Sequence, residues 1–367
     1  MRQSFTAFIL LLLLCPVAGF SQFRKYSNEF LNIGAGARGL AMGNAQVATV
    51  NDATAGYWNP AGLTGVKDHP NAGIMHAEYF AGIAKYDYAS LAIPVQDNNR
   101  TLGFSLLRFA VDDIPNTLFL VEPDGSINYN NIQTFSSADY AFLFSLAQNL
   151  KETETKRISF GANAKVIYRK VGKFASALGF GLDAGIQMQG EKWSAGLVAR
   201  DITTTFNAWT FKFTEKEKEV LYLTNNDIPV KSIELTAPRL VLGGAYKFNL
   251  GSNVQLLTEA NVDFTFDGKR NTVLSGNTIS ADPHLGLEAA IKEVFFVRAG
   301  ITNFQKALAD GDTLNQKKVW IYQPSLGAGF KINNVNLDYA FSNLANQSNP
   351  LFTHVFSLRI NFVKKDD

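Results

Sequence analysis

Residues 34–39 read Gly-Ala-Gly-Ala-Arg-Gly, the spacing with which a glycine-rich turn brings its backbone against a pyrophosphate. In a dinucleotide-binding unit such a turn follows a strand, opens a helix and is answered by an acid roughly twenty residues on. Asp52 stands near that distance. The surrounding residues do not supply the rest of the unit, because a Gly- and Ala-rich stretch follows and no βαβ pattern positions the turn. The four histidines, His69, His76, His284 and His354, share no metal-ligand spacing. Neither G-x-S-x-G nor H-E-x-x-H occurs. The other chemistry-bearing side chains, Asp183, Glu259, Asp263, Glu288, Arg298, Asp338 and Arg359, fall on the polar face of alternating segments. There they pair with one another more readily than they catalyse. The sequence predicts no catalytic residue, no cofactor, no metal and no enzyme.

The elements that hold these residues follow from composition and period. The chain of 367 residues carries 34 Lys and Arg against 32 Asp and Glu, a balance that argues against a nucleic-acid partner. Phe and Gly number 29 each while charged residues make up 18%, a profile rich in strand formers. At the N-terminus, Arg2, the apolar run 8–14 and Pro16-Val17-Ala18-Gly19 follow the pattern of a secretory signal over residues 1–21. That apolar run is short for a spanning helix. The only cysteine, Cys15, lies inside it, so no disulfide is expected in the exported chain.

Beyond residue 70, apolar residues recur at every second position. Phe160, Ala162, Ala164 and Val166 alternate with Ser159, Gly161, Asn163 and Lys165, and Phe356, Leu358 and Ile360 alternate with Ser357 and Arg359. Period two predicts strands, and the runs reach the roughly 9–11 residues that a tilted membrane strand needs. Fourteen segments are expected, near 71–79, 83–95, 100–110, 135–148, 157–170, 175–189, 191–203, 237–249, 253–265, 281–292, 294–304, 319–332, 335–344 and 352–363. Tight polar turns near 96–100, 149–157, 190–191, 250–253, 292–293 and 333–334 alternate with longer connections at 111–134, 204–236, 267–280 and 305–318. Short turns at one end and long loops at the other are the habit of outer-membrane barrels. Trp193, Tyr168, Tyr246 and Tyr339 sit near strand ends, where an interfacial girdle is expected. The fold class is an all-β membrane barrel of about fourteen antiparallel strands over 71–367, in the outer membrane of a Gram-negative bacterium, with membrane lipid around it.

Residues 22–70 read as a hatch folded into the lumen. Gly34, Gly36, Gly39, Gly43 and Gly62 allow close packing, and Arg38 and Asp52 add charge. Asn51 or Asp52 is expected to cap a short helical turn. Trp58 is the large apolar anchor, and residues 57–62, with Asn59 and Pro60, form a closing corner that is neither helix nor strand, where Pro60 ends the helical turn.

Residues 25–63, KYSNEFLNIGAGARGLAMGNAQVATVNDATAGYWNPAGL, resemble the start of the PorV/PorQ family of Bacteroidota, distant relatives of the FadL fatty-acid channels. The resemblance implies a fourteen-stranded barrel with an N-terminal plug that works in type IX protein secretion. It further implies the translocon barrel and secreted cargo, held by its C-terminal signal domain, as partners. The main pattern of that family tends to read Asn-Pro-Ala-Lys at the corner, whereas here Gly62-Leu63 follows Ala61, as in the FadL-like relatives. The alternative is therefore a FadL-like channel for hydrophobic small molecules such as fatty acids, with a lipid or detergent ligand in the lumen. Two long connections are candidate partner-binding loops: one carries Leu118 and Phe119, the other Phe206, Trp209, Phe211, Phe213 and Tyr222. Their apolar side chains either pack on the barrel rim or mark an interaction site. The charge run 215–219 within the second reads as a short solvated helix.

Overall fold

The computed structural model describes residues 26–95, 98–122, 124–308, 316–342 and 352–363. The expected signal segment with Cys15, part of the 96–100 turn and part of the 305–318 connection lie outside them.

The alternation closes into a ring. In chain order the strands are β1 (Asn71–Tyr79), β2 (Ala84–Val95), β3 (Arg100–Asn116), β4 (Gln133–Glu152), β5 (Arg157–Val171), β6 (Ala175–Gln189), β7 (Trp193–Arg200), β8 (Thr205–Phe211), β9 (Ser232–Thr236), β10 (Arg239–Leu250), β11 (Val254–Thr265), β12 (Leu274–Ser275), β13 (Ser280–Ile291), β14 (Phe295–Leu308), β15 (Lys318–Ile332), β16 (Val335–Ser342) and β17 (Thr353–Asn361). Antiparallel pairing runs from each wall strand to the next, and β1 pairs with β17 to close the cylinder. Short β8 prolongs β7 along the upper part of β6, β9 pairs with β8 above β10, and β12 is a two-residue addition to β13. The wall thus has fourteen strands, with the two chain ends of the barrel beside each other at Asn71 and Asn361. No described helix is long and apolar enough to cross a membrane; the strands form the wall, and their pairing runs round the whole ring.

Period two decides the faces. Ile74, Phe104, Phe144, Phe160, Leu242, Leu287 and Phe356 stand exposed on the outer wall, while Ser159, Asn163, Lys165 and Asp183 are buried inside. Trp193 and Tyr246 face each other across β7 and β10 at the short-turn end, part of the expected girdle.

The lumen is filled by the segment that precedes β1. Two helical turns, Ala37–Ala41 and Ala55–Trp58, and a 3-10 turn, Pro60–Gly65, pack there with Phe30, Leu40, Val50, Tyr57, Trp58 and Leu63 buried. This corrects the expectation of an irregular corner at 57–62. The helical turn Ala55–Trp58 stops before Pro60, with Asn59 extended, and Pro60 then opens the 3-10 turn, because a proline needs no donated bond in a first turn.

Two connections also differ from expectation. β3 and β4 run past 111 and before 135, pairing through a bulge at Val111/Ile114 as far as Asn116 and Gln133. The 204–236 connection holds β8, a helix at Glu215–Leu223 and β9 rather than a free loop. The helix expected at the charge run is present. Thr214 and Glu217 form a reciprocal capping box, and Glu217 turns inward to Lys173 at 2.9 Å.

Candidate functional site

The plug is fixed to the wall by polar side chains that the strands turn inward. Arg38, on the helical turn Ala37–Ala41, meets Glu288 of β13 through two hydrogen bonds of 2.8 and 3.0 Å. Glu288 also accepts from Arg298 of β14 at 2.6 Å, and Arg298 reaches Asp338 of β16 at 2.7 Å. Arg359 of β17 lies 3.5 Å from Asp338 and bonds Asp52 of the plug. The chain Arg38–Glu288–Arg298–Asp338–Arg359–Asp52 is a clasp that begins and ends on the plug. Burial pushes the Asp52 carboxyl up, but the Arg359 guanidinium and the Thr54 hydroxyl and amide outweigh it and hold it below the usual value. Asp52 thus accepts from the residue two positions on, but it does not cap a helix as expected, since Thr54 stands at the N-cap of Ala55–Trp58 and no side chain caps that turn.

Asn59 is the second fastening. Its amide nitrogen donates to the Val47 carbonyl at 3.0 Å and to the Ile186 carbonyl of β6 at 3.1 Å, while its oxygen accepts from Ala61 N. Trp58 Nε1 donates to the Ala35 carbonyl and Tyr57 Oη to the Leu31 carbonyl, both at 2.8 Å. Gln187 and Asn163 donate to the Val50 and Gly56 carbonyls, and Glu259 accepts from Ala48 N and the Thr49 hydroxyl. Backbone without regular partners is tolerated at membrane depth only when buried in protein that satisfies it, as here.

Glycines on the wall make room for the fit. A Cβ at Gly161, Gly185, Gly196, Gly286, Gly300 or Gly327 would run into plug atoms. On the plug, Gly34, Gly36 and Gly43 hold positive φ, and Gly39 lies against the Trp58 ring. The predicted hatch residues therefore come together in one body, and all of them pack in the bore. The glycine spacing at 34–39 serves this packing. Gly36 N points to the Met75 sulfur and Ala37 N donates to the Ser357 hydroxyl.

Among the described residues, two large cavities flank the plug, one on each side. That at the short-turn end, about 590 Å³, is lined by Arg38, Asp52, Lys247, Lys331 and Arg359 among others. That at the long-loop end, about 580 Å³, combines Phe30, Tyr79, Phe80 and Phe109 with Arg169, Arg239, Asp263, Arg270, Asp282 and His284.

Beside the second cavity the wall is incomplete. β13 and β14 pair only from Leu285/Ile301 to Ile291/Phe295. Above that point β14 bulges between Thr302 and Gln305, with Asn303 at φ 54, and turns to β15. Pro283 lies on the facing edge and has no N–H to offer. The side chain of Asn271 stands in for a strand, accepting from Lys306 N and donating to Lys306 O. Outside, just below the break, Gly244, Ala260 and Ala299 sit among Tyr246, Leu285, Leu287 and Ile301 to form an apolar groove of about 640 Å³ on the outer wall.

The candidate partner residues do not form one surface. Phe206 faces outward on the wall beside Phe180. Trp209 donates to Glu234 at 2.7 Å under the Arg169 guanidinium. Phe211 stacks on Trp209, and Phe213 stacks on Phe174. Phe119 lies under Lys216, so the two long connections touch; Leu118 is half-buried in the first of them. Of the seven, Phe206 and Tyr222 are exposed, Tyr222 most at 78%, and the same connection also exposes Val230 at 76% and Ile233 at 70%. The long-loop cavity residues Phe80, Phe109, Arg239, Arg270 and Asp282 escaped the sequence reading. The signals available for the break were Pro283 within an alternating run and the Thr302-Asn303 pair where β14 bends.

No family model matches this sequence, and no curated protein matches it. Solved structures do resemble it. The Pseudomonas putida toluene transporter TodX aligns at 13% identity over 90% of this chain and 98% of its own, with a TM-score of 0.55. The Ralstonia pickettii toluene transporter TbuX aligns at 13% identity over 90% and 99%, with a TM-score of 0.52. The monoaromatic hydrocarbon channel CymD aligns at 13% identity over 91% and 99%, with a TM-score of 0.51. Likeness at this identity establishes a shared fold. This chain shares its barrel fold with those structures.

Proposed function

We propose that this chain is an outer-membrane channel for hydrophobic small molecules, with the short-turn end periplasmic. The solute enters the long-loop cavity, meets the aromatic side chains Phe30, Tyr79, Phe80 and Phe109, and is kept from the polar bore by the clasped plug. It leaves sideways, between β13 and β14, toward the apolar groove on the outer wall. The observation that carries this reading is the ladder break above Leu285/Ile301. Unpaired backbone is costly beside lipid, and this break lies between an aromatic-walled cavity and an apolar groove. The names of the three similar structures, a hydrocarbon channel and two toluene transporters, support the same class of solute. This favours the channel over the secretion role that the resemblance at residues 25–63 implies.

A disulfide across the break tests the reading. His284 Nδ1 and Thr302 Oγ1 lie 2.6 Å apart, so the double variant His284→Cys/Thr302→Cys is placed to cross-link. Oxidised protein in vesicles should lose at least about tenfold of its toluene uptake, and reductant should restore it. Uptake indifferent to the bridge would rule out the lateral route.

A second reading, a partner of type IX secretion, draws support from Tyr222, Val230 and Ile233, which are apolar and exposed at the long-loop end. Under it, deletion of residues 211–222 abolishes co-purification with a translocon barrel while the protein still inserts. An unchanged pull-down would remove that role.

A further inference from the structure

The long-loop cavity has two unlike sides. Tyr79, Phe80 and Phe109, from β1 to β3, form an apolar side above Phe30. About halfway round the ring, β10, β11 and β13 turn Arg239, Asp263, Asp282 and His284 inward. Each guanidinium lining the cavity is answered by an acid. Arg169 meets Asp139 at 2.9 Å, Arg239 meets Asp263 at 3.3 Å and Arg270 meets Asp267 at 2.6 Å. His284 turns Nε2 toward Asp263 at 3.6 Å and Nδ1 to the Thr302 hydroxyl.

Asp282 is left over. It stands directly across the ladder from Asp263 on the same face, an arrangement of like charges that destabilises a sheet. Among the described residues no ion pair reaches it, and its Oδ1 is buried with no hydrogen-bond partner. One step along the same face of β11, Thr265 is 9% exposed and its hydroxyl is also without a partner. Both line the cavity. Acceptors kept buried and unmatched are costly unless something brings donors to them. The two aspartates lack the further ligands that a metal ion needs, since no metal-holding group of His, Cys, Asp and Glu occurs among the described residues. The missing piece is a single positive group that carries N–H donors.

We propose that the long-loop cavity takes an amphiphile with a ring-sized apolar body and a protonated amine head. The body extends into the cavity toward its aromatic side, where Phe30 stands on the plug. The head donates to the Asp282 carboxylate and the Thr265 hydroxyl. This rests on the channel reading and narrows its solute to a class that a purely aliphatic or aromatic lining would not select. A carboxylate head would face Asp263 and Asp282 and is disfavoured.

The test uses the intact barrel in lipid nanodiscs and four probes that share a phenyl ring: 2-phenylethylamine, 2-phenylethanol, 3-phenylpropanoate and ethylbenzene. Binding is read by calorimetry. The amine should bind at least about tenfold more tightly than the alcohol or the carboxylate, because a charged donor meets an unpaired carboxylate. Asp282→Asn should remove that advantage and leave ethylbenzene unchanged. Thr265→Val should weaken the amine alone, and Asp112→Asn, on the exposed rim, should alter nothing. The two cavity variants report independently should one fail to fold. Equal affinity for all heads, a preference for the carboxylate, or full amine binding by Asp282→Asn would overturn the head assignment and leave the channel reading standing. Failure of every probe, ethylbenzene included, would overturn the channel reading itself.

Discussion

Asn59 joins three carbonyl and amide groups drawn from the plug and from β6, more than a hundred residues away. Its sequence neighbours announce a corner, but only the fold supplies the partners. The same holds for the clasp. Glu288, Arg298, Asp338 and Arg359 are legible as inward-facing charges, because alternation fixes their side of the wall. That Arg38 and Asp52 complete the chain of pairs was not legible, since it depends on how the plug is turned. Breaking one partner of a buried pair leaves an uncompensated charge and costs about 3–5 kcal/mol. Arg38→Ala should therefore speed amide exchange across residues 37–52 by more than tenfold while the strands stay protected. Equal protection in the variant would show that the clasp does not hold the plug. Wall glycines read from sequence as part of a wet polar face; they are in fact the seats of the plug. Gly161→Val should overpack the lumen, at a cost of about 1–3 kcal/mol, and lower the heat stability of the barrel in detergent. An unshifted melting temperature would contradict the fit.

Among the elements, strand existence and order were the most legible part, because each segment alternates over nearly the whole thickness of a membrane. Strand ends were less so. β3 and β4 continue past Asp112 and Asp113, the residues of the bulge, so the hydrophobic pattern stops there while pairing resumes at Ile114. β8 was hidden because its aromatics, Phe206, Trp209 and Phe211, alternate in a region set apart by its length as a loop. The helix at Glu215–Leu223 was legible from its charge run, although Glu217 is an inward cap and not a solvated charge. Burial pushes the Glu217 carboxyl up, but the Thr214 amide, the Lys173 ammonium and the Thr214 hydroxyl outweigh it and hold it low. Removal of a capping side chain costs about 1 kcal/mol. Glu217→Ala should thus raise exchange in 215–223 about fivefold, while Glu217→Gln, which can still accept from the Thr214 amide, should raise it less. Identical exchange in both variants would show that the capping box is idle.

At the scale of the whole molecule, the barrel and its plug are two bodies joined by charge, so acid should part them. The folded value of Asp52 lies below its ordinary one. Its contribution is complete above the ordinary aspartate range, near pH ~4, and is lost as pH falls through the lowered value. Leak through the bore should therefore rise in acid, below about pH 4, and Asp52→Asn should show that leak at neutral pH. The membrane-barrel architecture was legible because lipid outside and water inside impose period two on every strand. The lateral break was not, because it comes from one proline, one bulge and one asparagine side chain whose conjunction no period reveals.

Single-channel conductance in planar bilayers tests most directly whether the N-terminal segment stoppers a water-filled barrel. The intact protein should be silent, and the same barrel lacking residues 26–66 should open in stable steps of the size expected for a fourteen-stranded bore. Equal conductance from both would show that the bore is open with the plug in place, and the account would fail.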